Sequence, residues 1–287
     1  MIHFSDADVA RALEGADLVA ALGDAFVDFA NGHAAQQARV RTEAGSVKLS
    51  TLGAVLPRQG LVGAKVYTTI GGQFHFLITL FSARTGKVVA TFDAGEITRR
   101  RTAAVSVLAA RHGAPADVLK IVVFGTGKQG RAHQKAFATA YSHAEVRAIG
   151  RNDDDRSMVE DAQIIVTATR SRAPLFDGRR VSPGAFVSAV GSSQPDTREL
   201  DDALMGRART VVVEWKQQTM CEAGDLLLLA PNVRARLSIV NLGDLIAGKA
   251  HAREIASDIV VFKSVGVGLG DVVVAGLAYR LLTDGEP

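Results

Sequence analysis

The sequence predicts an α/β protein in which a doubly wound parallel sheet is combined with an α+β domain built from both ends of the chain. Three observations support this prediction. The early part of the chain has a helix followed by closely spaced strands, the middle alternates strands with helices, and the last part adds another strand, glycine turn and helix. We therefore expect residues 1–114 and 258–287 to form the first domain and residues 115–257 to form the second.

The composition is that of a globular protein. Of 287 residues, 47% are hydrophobic and 22% charged, so a sizeable core can form. The net charge is only +3 and the aromatic residues, 6% of the chain, are not interleaved with basic ones, which disfavours nucleic-acid binding. Cys221 is the single cysteine, and the histidines lack metal-ligand spacing, so neither disulfides nor a metal site are expected. With no signal-peptide pattern and no apolar run of the ~20 residues that cross a bilayer, we expect a cytoplasmic protein without membrane contact.

The first domain is predicted to begin with a helix and to continue as an antiparallel meander. The segment Ser5-Asp6-Ala7-Asp8 precedes apolar residues at helical spacing as far as Leu22, which is typical of a capped amphipathic helix. Strands are predicted over 64–68, 74–81 and 88–92. A helix over 99–112 then ends at Gly113.

The second domain is predicted to open with a dinucleotide-binding motif. An apolar strand over 119–124 runs into a glycine loop and then a helix over 131–141, which is the order found in the Rossmann fold. The loop is Gly125, Thr126, Gly127, Lys128, Gln129 and Gly130. Gly125 permits the tight turn, Gly127 lets the backbone approach a pyrophosphate, and Gly130 lets the helix pack closely on the strand. Strands over 145–149, 164–168, 185–190 and 210–214 are predicted to continue the parallel sheet.

The residues after the second Rossmann strand bear on the choice of cofactor. Arg151 and Asn152 occupy the place where a carboxylate would bind the ribose 2′-hydroxyl of NAD. Because arginine can bind a 2′-phosphate instead, NADPH is favoured, while the nearby Asp153 keeps NADH possible. At the end of the next strand Thr167, Ala168 and Thr169 are small enough for a dinucleotide to lie close, although they are also ordinary strand residues.

Two stretches of the chain are less regular. Only residues 152–163 separate Arg151 from the strand at Ile164, so this part of the fold is either abbreviated or lacks residues in the sequence, and the run Asp153-Asp154-Asp155 is a possible seam. The strand and glycine turn over 259–268 and the helix over 271–282 are expected to return to the first domain. Asp225 and Asp271 are expected to be capping or supporting carboxylates.

Several motifs in fixed order resemble the ornithine cyclodeaminase and mu-crystallin family, and they span nearly the whole chain. Besides the glycine loop they are Arg41-Thr42, Lys65 in Gly-Ala-Lys-Val, Thr98 and Arg101 in Ile-Thr-Arg-Arg-Arg-Thr-Ala-Ala, Ala189 to Ser192, Glu199-Leu200-Asp201 and Phe262 to Gly266. The resemblance implies a homodimer whose first domain carries the substrate site and the dimer sheet. It also implies that Arg41, Lys65 and Arg101 bind the substrate, and it adds Val190, Gly191, Ser264 and Gly266 to the predicted cofactor contacts.

The implied substrate is an α-carboxylate, because arginine grips a carboxylate with two hydrogen bonds and lysine adds a point charge. In the cyclodeaminases of this family an aspartate that handles the substrate amino groups stands two residues after the glycine ahead of Glu-Leu-Asp. Here that position is Ser193, and a hydroxyl neither pairs with an ammonium nor acts as a base near neutral pH. The segment is closer to mu-crystallin, which resembles ketimine reductases; Asp196 is the alternative acid.

The expected function is therefore the NADPH-dependent reduction of a small cyclic imine carboxylate. The candidate substrates are pyrroline-2-carboxylate and piperideine-2-carboxylate, which would give proline and pipecolate. Three alternatives stay open: ornithine cyclodeamination with release of ammonia, an alanine dehydrogenase, and a non-catalytic protein that binds NADPH and a hydrophobic amino-acid-like ligand.

Overall fold

The computed structural model describes residues 2–153 and 156–283, and these divide into two compact units. The first unit comprises residues 2–101 and 267–283, and the second comprises residues 102–266. The strands are β1 (Ile2–Phe4), β2 (Ala35–Gln36), β3 (Val40–Ala44), β4 (Val47–Leu56), β5 (Leu61–Ile70), β6 (Gln73–Ser82), β7 (Val88–Asp93), β8 (Lys120–Phe124), β9 (Glu145–Ile149), β10 (Ile164–Thr167), β11 (Phe186–Ala189), β12 (Ala208–Val213), β13 (Ile239–Asn241) and β14 (Ile259–Lys263).

The α-helices are α1 (Asp6–Ala12), α2 (Leu18–Ala30), α3 (Gly95–Gly113), α4 (Lys128–Ala140), α5 (Asp202–Arg207), α6 (Lys216–Glu222), α7 (Gly224–Leu227), α8 (Pro231–Arg234), α9 (Leu242–Ile246) and α10 (Gly268–Thr283). Short 3-10 helices cover Pro57–Gln59, Arg156–Glu160 and Gly178–Arg180. Among the described residues no helix is both long enough and apolar enough to cross a membrane.

The first unit is built on a mixed sheet of order β1-β7-β6-β5-β4-β2, with β3 also paired to β4. Strands β4 to β7 run antiparallel, and β5 to β7 confirm the predicted meander. Strand β1 joins β7 in parallel. Strands β1 to β4 were not predicted. The single predicted N-terminal helix is two helices, because Gly15 between them adopts a left-handed conformation with φ of 75°. Ser5 and Asp8 form a capping box at the start of α1, as the polar residues there suggested.

Helix α10 lies unusually close to this sheet. A Cβ atom on Gly276 would stand 2.1 Å from Leu61 Cδ1, and one on Gly268 would stand 2.6 Å from the carbonyl oxygen of Gly53. At Gly268 the neighbouring atoms are backbone, so only glycine permits the approach there, and α10 packs on β4, β5 and β6 with its first turn against the sheet. Asp271, in that first turn, is thereby brought to the buried face of β5.

The second unit is a wholly parallel sheet of order β13-β12-β14-β11-β10-β8-β9. Strand β8 lies between β9 on one side and β10 on the other, so the chain reverses its direction across the sheet there. Ligands of open parallel sheets bind at the carboxyl ends of strands at such a switch point. The glycine loop follows β8 and therefore stands where a dinucleotide-binding loop is expected.

The last strand corrects our domain boundaries. We assigned residues 258–287 to the first domain, but β14 lies inside the second sheet, between β11 and β12. Its residues 259–263 are all buried, which suits a central parallel strand covered on both faces. The chain enters the first unit only after Gly266, and it leaves that unit after Arg101, inside α3, rather than at residue 114.

The short stretch after β9 holds the 3-10 helix Arg156–Glu160 before β10 begins. In the part of the chain that the structure describes, β9 is the outermost strand on its side of the sheet. The proposed seam falls on Asp154 and Asp155, which lie outside the described residues.

Candidate functional site

The glycine loop of the second unit has the close contacts that a pyrophosphate cradle needs. Gly125 has φ of 114°, and a Cβ atom there would stand 2.6 Å from the carbonyl oxygen of Ala168. A Cβ atom on Gly130 would stand 1.8 Å from the carbonyl oxygen of Gly125, so any side chain would push α4 off β8. Gly127, by contrast, faces open space and is the N-cap of α4 without a side-chain cap. Phosphate oxygens suit such a helix start, so the residues present fit a dinucleotide.

Arg151 and Asn152 lie exposed in the turn after β9. Asp153 turns back there, and its carboxylate accepts a hydrogen bond of 2.7 Å from the Gly150 backbone nitrogen. A Cβ atom on Gly150 would lie 3.7 Å from Thr126 Cγ2, so this turn borders the glycine loop. A cation and an anion thus both stand at the corner where a ribose 2′ group would bind, and the choice between NADPH and NADH stays a prediction.

Glu199 ties together the ends of β10 and β11, where we predicted cofactor contacts at residues 167–169, 190 and 191. Its carboxylate accepts hydrogen bonds from Thr167 Oγ1 at 2.8 Å, Thr169 Oγ1 at 2.7 Å, and the backbone nitrogens of Thr169 and Gly191, both at 2.8 Å. Burial raises the pKa of Glu199, while Lys263 opposes that rise. The polar groups of Thr167, Thr169 and Gly191 therefore face Glu199, a residue to which we had given no site role.

The buried ion pair of Asp225 and Lys263 supports the segment that carries Glu199. Asp225 Oδ1 accepts hydrogen bonds from the backbone nitrogens of Glu199 at 2.6 Å and Leu200 at 2.9 Å. Its other oxygen lies 2.8 Å from Lys263 Nζ, which also donates to the carbonyl oxygen of Ser192 at 2.6 Å. Asp225 is therefore a supporting carboxylate, as its sequence context suggested.

The predicted cofactor residues Ser264 and Gly266 are also held by a buried acid. Glu214 Oε2 accepts hydrogen bonds from Ser264 Oγ and from the Gly266 backbone nitrogen, both at 2.8 Å. Gln218 Nε2 donates to the Gly266 carbonyl oxygen at 2.8 Å. Ser264 and Gly266 are thus fixed by Glu214, which directly follows β12, and by Gln218 of α6, contacts that the sequence patterns did not reveal.

The first unit holds a buried cluster of Lys65, Thr98, Arg101 and Asp271, hereafter the Lys65 cluster. Lys65 Nζ on β5 lies 3.0 and 3.1 Å from the two carboxylate oxygens of Asp271 on α10 and 3.0 Å from Thr98 Oγ1 on α3. Arg101 Nε, also on α3, donates to Asp271 Oδ1 at 2.9 Å. Lys65 Nζ also lies 4.8 Å from the centre of the Phe76 ring, within cation–π range. Two of the three predicted substrate cations thus share one carboxylate.

Burial and charge act in opposite directions within this cluster. Burial lowers the pKa of Lys65 to about 8, Asp271 opposes that shift, and the positive charges of Arg101 and Arg39 add to it. Burial would raise the pKa of Asp271, but Arg101 and Lys65 outweigh it and hold this pKa below its usual value. Asp271 is therefore ionised, and the pKa of the Lys65 ammonium lies closer to neutral pH than that of an ordinary lysine.

Arg41, the third predicted cation, lies on β3 opposite Ser50 of β4, which is itself opposite Tyr67 of β5. It therefore belongs to the row of side chains next to that of Lys65. Arg39, two residues earlier, is the member of this pair whose charge is among the main influences that lower the pKa of Lys65. Because the pair is so close in sequence, the motif alone did not separate their positions.

Asp196, the alternative acid for a cyclodeaminase, lies on the surface. Its side chain is 61% exposed and forms an ion pair with Arg172. Among the described residues there is also no group of three or more side chains that could hold a metal ion.

A Rossmann unit with a glycine loop, joined to an α+β unit with a buried lysine, arginine and aspartate, defines the class of this protein. The family model described as "Ornithine cyclodeaminase/mu-crystallin family" matches residues 3–157 and 152–286, two segments that meet at the short stretch after Arg151. The chain belongs to this family.

Three known proteins illustrate the similarity. The ketimine reductase mu-crystallin of Mus musculus is 32% identical over 227 residues, covering 73% of this chain and 70% of that protein. The Delta(1)-pyrroline-2-carboxylate reductase of Colwellia psychrerythraea is 32% identical over 232 residues, covering 72% of this chain and 73% of that protein. The crystal structure of a probable ornithine cyclodeaminase from Bordetella pertussis Tohama I is 48% identical with a TM-score of 0.95, covering 99% of this chain and 97% of that one.

Proposed function

We propose that this enzyme reduces a cyclic imine bearing a 2-carboxylate, such as pyrroline-2-carboxylate, to the cyclic amino acid, with NADPH favoured over NADH. The observation that carries the proposal is the pair of buried cations, Lys65 and Arg101, which share the Asp271 carboxylate. A substrate carboxylate would add a second anion for both. Relatives about 30% identical are named ketimine reductase and Delta(1)-pyrroline-2-carboxylate reductase, which supports the same reaction.

The first unit is proposed to bind the substrate. Arg101 offers a planar fork for a carboxylate, and Lys65 offers a compact positive charge. The rings of Tyr67 and Phe76, whose centres lie 5.1 Å apart, stand beside Lys65 Nζ and shield it from water. In such an apolar setting a charge-assisted hydrogen bond to a carboxylate is stronger than in water, so the substrate is held in one orientation.

The second unit is proposed to hold the cofactor. Gly125, Thr126 and Gly127 would contact the pyrophosphate together with the first turn of α4, and Arg151 would contact the ribose 2′ group. A bound nicotinamide would supply the hydride. Glu199 keeps the backbone at Thr169 and Gly191 in place, at the carboxyl ends of β10 and β11, where the dinucleotide is proposed to lie.

Lys65 is also the proposed source of the proton. An imine accepts hydride readily only when its nitrogen is protonated, and a group with a pKa near the working pH transfers protons best. Because burial lowers the pKa of Lys65 to about 8, its ammonium can hold and release a proton at neutral pH.

Ornithine cyclodeamination is the second candidate, because the 48% identical structure carries the name of a probable ornithine cyclodeaminase. That reaction must manage the amino groups of ornithine. Ser193 stands at the position implied for the acid, and Asp196 is ion-paired at the surface. These two residues favour the reductase.

We further propose that the protein is a homodimer joined through the outer face of the first sheet. Paired residues of an antiparallel sheet lie on the same face, so the pairing places a row of aliphatic side chains opposite the face that bears Lys65. These exposed residues are Val40, Val47, Leu49, Val55, Ile70, Leu77 and Val88. Contiguous apolar surface of this kind marks an interaction site, and a two-fold axis would cover it with itself.

The experiment that tests the function follows NADPH oxidation with pyrroline-2-carboxylate, beside ornithine plus NAD assayed for ammonia and pyruvate plus ammonia as an open-chain control. We expect NADPH oxidation only with the cyclic imine. Lys65→Met should lower kcat/KM by about 10²–10⁴-fold, the range for loss of a positioned proton donor, while NADPH affinity stays within about two-fold. Ammonia release from ornithine, or undiminished turnover in Lys65→Met, would refute the proposal.

A further inference from the structure

We propose that Asp271 is a positioning residue of the active site: it fixes the Lys65 ammonium and the Arg101 guanidinium in one arrangement and keeps Lys65 protonated at the pH of the reaction. This inference deepens the proposed reductase function and rests on it for its catalytic meaning. The aspartate comes from α10, near the end of the chain, whereas the two cations come from β5 and α3.

The geometry leaves the Lys65 ammonium little freedom. Both oxygens of Asp271 lie within 3.1 Å of Nζ, and Oδ1 also receives Arg101 Nε at 2.9 Å. Thr98 Oγ1 donates its own proton to the carbonyl oxygen of Ala94 at 2.6 Å, so it acts as an acceptor for Lys65 at 3.0 Å. One carboxylate and one hydroxyl therefore fix the direction of the Nζ atom.

The fold holds Asp271 rigidly enough for this task. The close approach at Gly268 and Gly276 fixes α10 on the sheet, and the side chain of Asp271 is completely buried. Asp271 is the fourth residue of α10, in the first turn, where the helix dipole favours a negative charge. The helix thus helps the two cations to keep this buried carboxylate ionised.

The other charged groups that act most strongly on Lys65 disfavour its charge. Arg101 on α3 and Arg39 before β3 are positive, and Arg41 on β3 belongs to the neighbouring row of the same sheet face. The centre of the Tyr67 ring on β5 lies 5.8 Å from Lys65 Nζ. Burial favours the neutral amine as well. Asp271 is the group that opposes these influences, so replacing it by a neutral residue should release the proton of Lys65 at neutral pH.

The test is a direct titration of Lys65. Protein labelled with ¹³C at lysine Cε is titrated by NMR, and Lys65→Arg identifies the Lys65 signal. In the wild type we expect a pKa near 8. In Asp271→Asn it should fall by about one to three pH units, the usual effect of a close opposite charge. Thr98→Val, which removes a hydrogen bond but no charge, is the matched control and should move it by less than half as much.

A kinetic measurement then connects the titration to the reaction. The alkaline limb of the kcat/KM profile for imine reduction should move to lower pH in Asp271→Asn by the same amount as the Lys65 titration, and Asp271→Glu should restore most of it. A merely structural role would lower activity equally at every pH. An unchanged Lys65 titration in Asp271→Asn overturns the inference even if activity falls.

The outcomes separate this inference from the proposed function. If the wild type reduces no cyclic imine, the function fails while the NMR titration still judges Asp271. If Asp271→Asn does not fold, the same NMR titration is made with Arg101→Gln. Removal of this neighbouring cation should raise the pKa of Lys65 if the charges of the Lys65 cluster are coupled. An unaltered Lys65 pKa in Arg101→Gln would then overturn the inference.

Discussion

At the scale of single residues, His133 shows how the second unit uses a buried titratable group for stability. Its Nδ1–H donates to the carbonyl oxygen of Gln129 at 2.8 Å, and its Nε2 lies 3.1 Å from Ser106 Oγ, an assignment that follows from these partners. Burial lowers the pKa of His133 to about 4. The ring is therefore neutral at pH 7 and joins α4 to α3.

This arrangement predicts a loss of stability in mild acid. The pKa of His133 is about 4 in the folded protein and about 6.5 in the unfolded chain, so the unfolded chain binds more protons between these values. Stability from this group is complete above pH 6.5 and falls as the pH decreases towards 4, by about 2 kcal/mol between pH 7 and pH 5. Urea unfolding at both pH values measures it. His133→Gln offers a donor and an acceptor but does not titrate, so its free energy of unfolding should lack this pH-dependent part. Equal pH dependence in the two proteins would contradict the prediction.

At the scale of elements, the glycine loop assigns two requirements of the motif, helix packing and phosphate access, to different glycines. A Cβ atom on Gly130 would overlap the backbone of Gly125, whereas one on Gly127 would meet only open space. Close packing of α4 on β8 thus depends on Gly130, and access of a phosphate depends on Gly127.

The matched substitutions Gly127→Ala and Gly130→Ala test this division. Gly127→Ala should leave the free energy of unfolding within about 0.5 kcal/mol of the wild type but weaken NADPH binding by at least about ten-fold, because the methyl group occupies the approach to the pyrophosphate. Gly130→Ala should lower the free energy of unfolding by about 1–3 kcal/mol, the usual cost of overpacking. Urea unfolding and NADPH fluorescence titration measure both quantities. Normal NADPH binding in Gly127→Ala would remove the loop from the proposed cofactor site.

The elements that could be predicted from sequence are those with strong local signals. The structure confirms the strand predicted from the apolar run before Gly125 and the strands predicted for the meander. These predictions succeed because strand periodicity and turn residues are local features of the sequence. Strand β4 was missed because polar and small residues interrupt its apolar pattern. The position of β14 was missed because an apolar strand does not reveal which sheet it joins.

The candidate site was predictable only where the motif itself carried the chemistry. Lys65 and Arg101 were singled out from the family resemblance, and the structure brings them together. Their link through Asp271 was not predicted, since Lys65 and Asp271 are 206 positions apart and nothing local signals the pairing. Glu199 belongs to one of the family motifs, but the motif does not reveal what its side chain does. The four hydrogen bonds that it accepts from the ends of two strands arise only in the folded sheet.

At the scale of the whole molecule, the exposed aliphatic face of the first sheet predicts how two copies associate. Leu49 on β4 is 44% exposed and lies on that face, opposite Thr68 of β5. In a two-fold dimer every substitution occurs twice, so Leu49→Lys places two lysines in the interface. If each costs about 2 kcal/mol, the lower bound for an interface hot spot, the dimer dissociation constant rises by roughly 10³-fold.

Sedimentation velocity over a range of protein concentrations measures this effect. Leu228, 46% exposed and in the other unit, gives the matched control Leu228→Lys, which adds the same charge at an equally exposed leucine outside the sheet. We expect the wild type and Leu228→Lys to sediment as dimers and Leu49→Lys to dissociate at micromolar concentration. A monomeric wild type, or a dimer that Leu49→Lys leaves intact, would mean that this face serves another contact, because a leucine replaced by lysine at the centre of an apolar interface cannot be neutral.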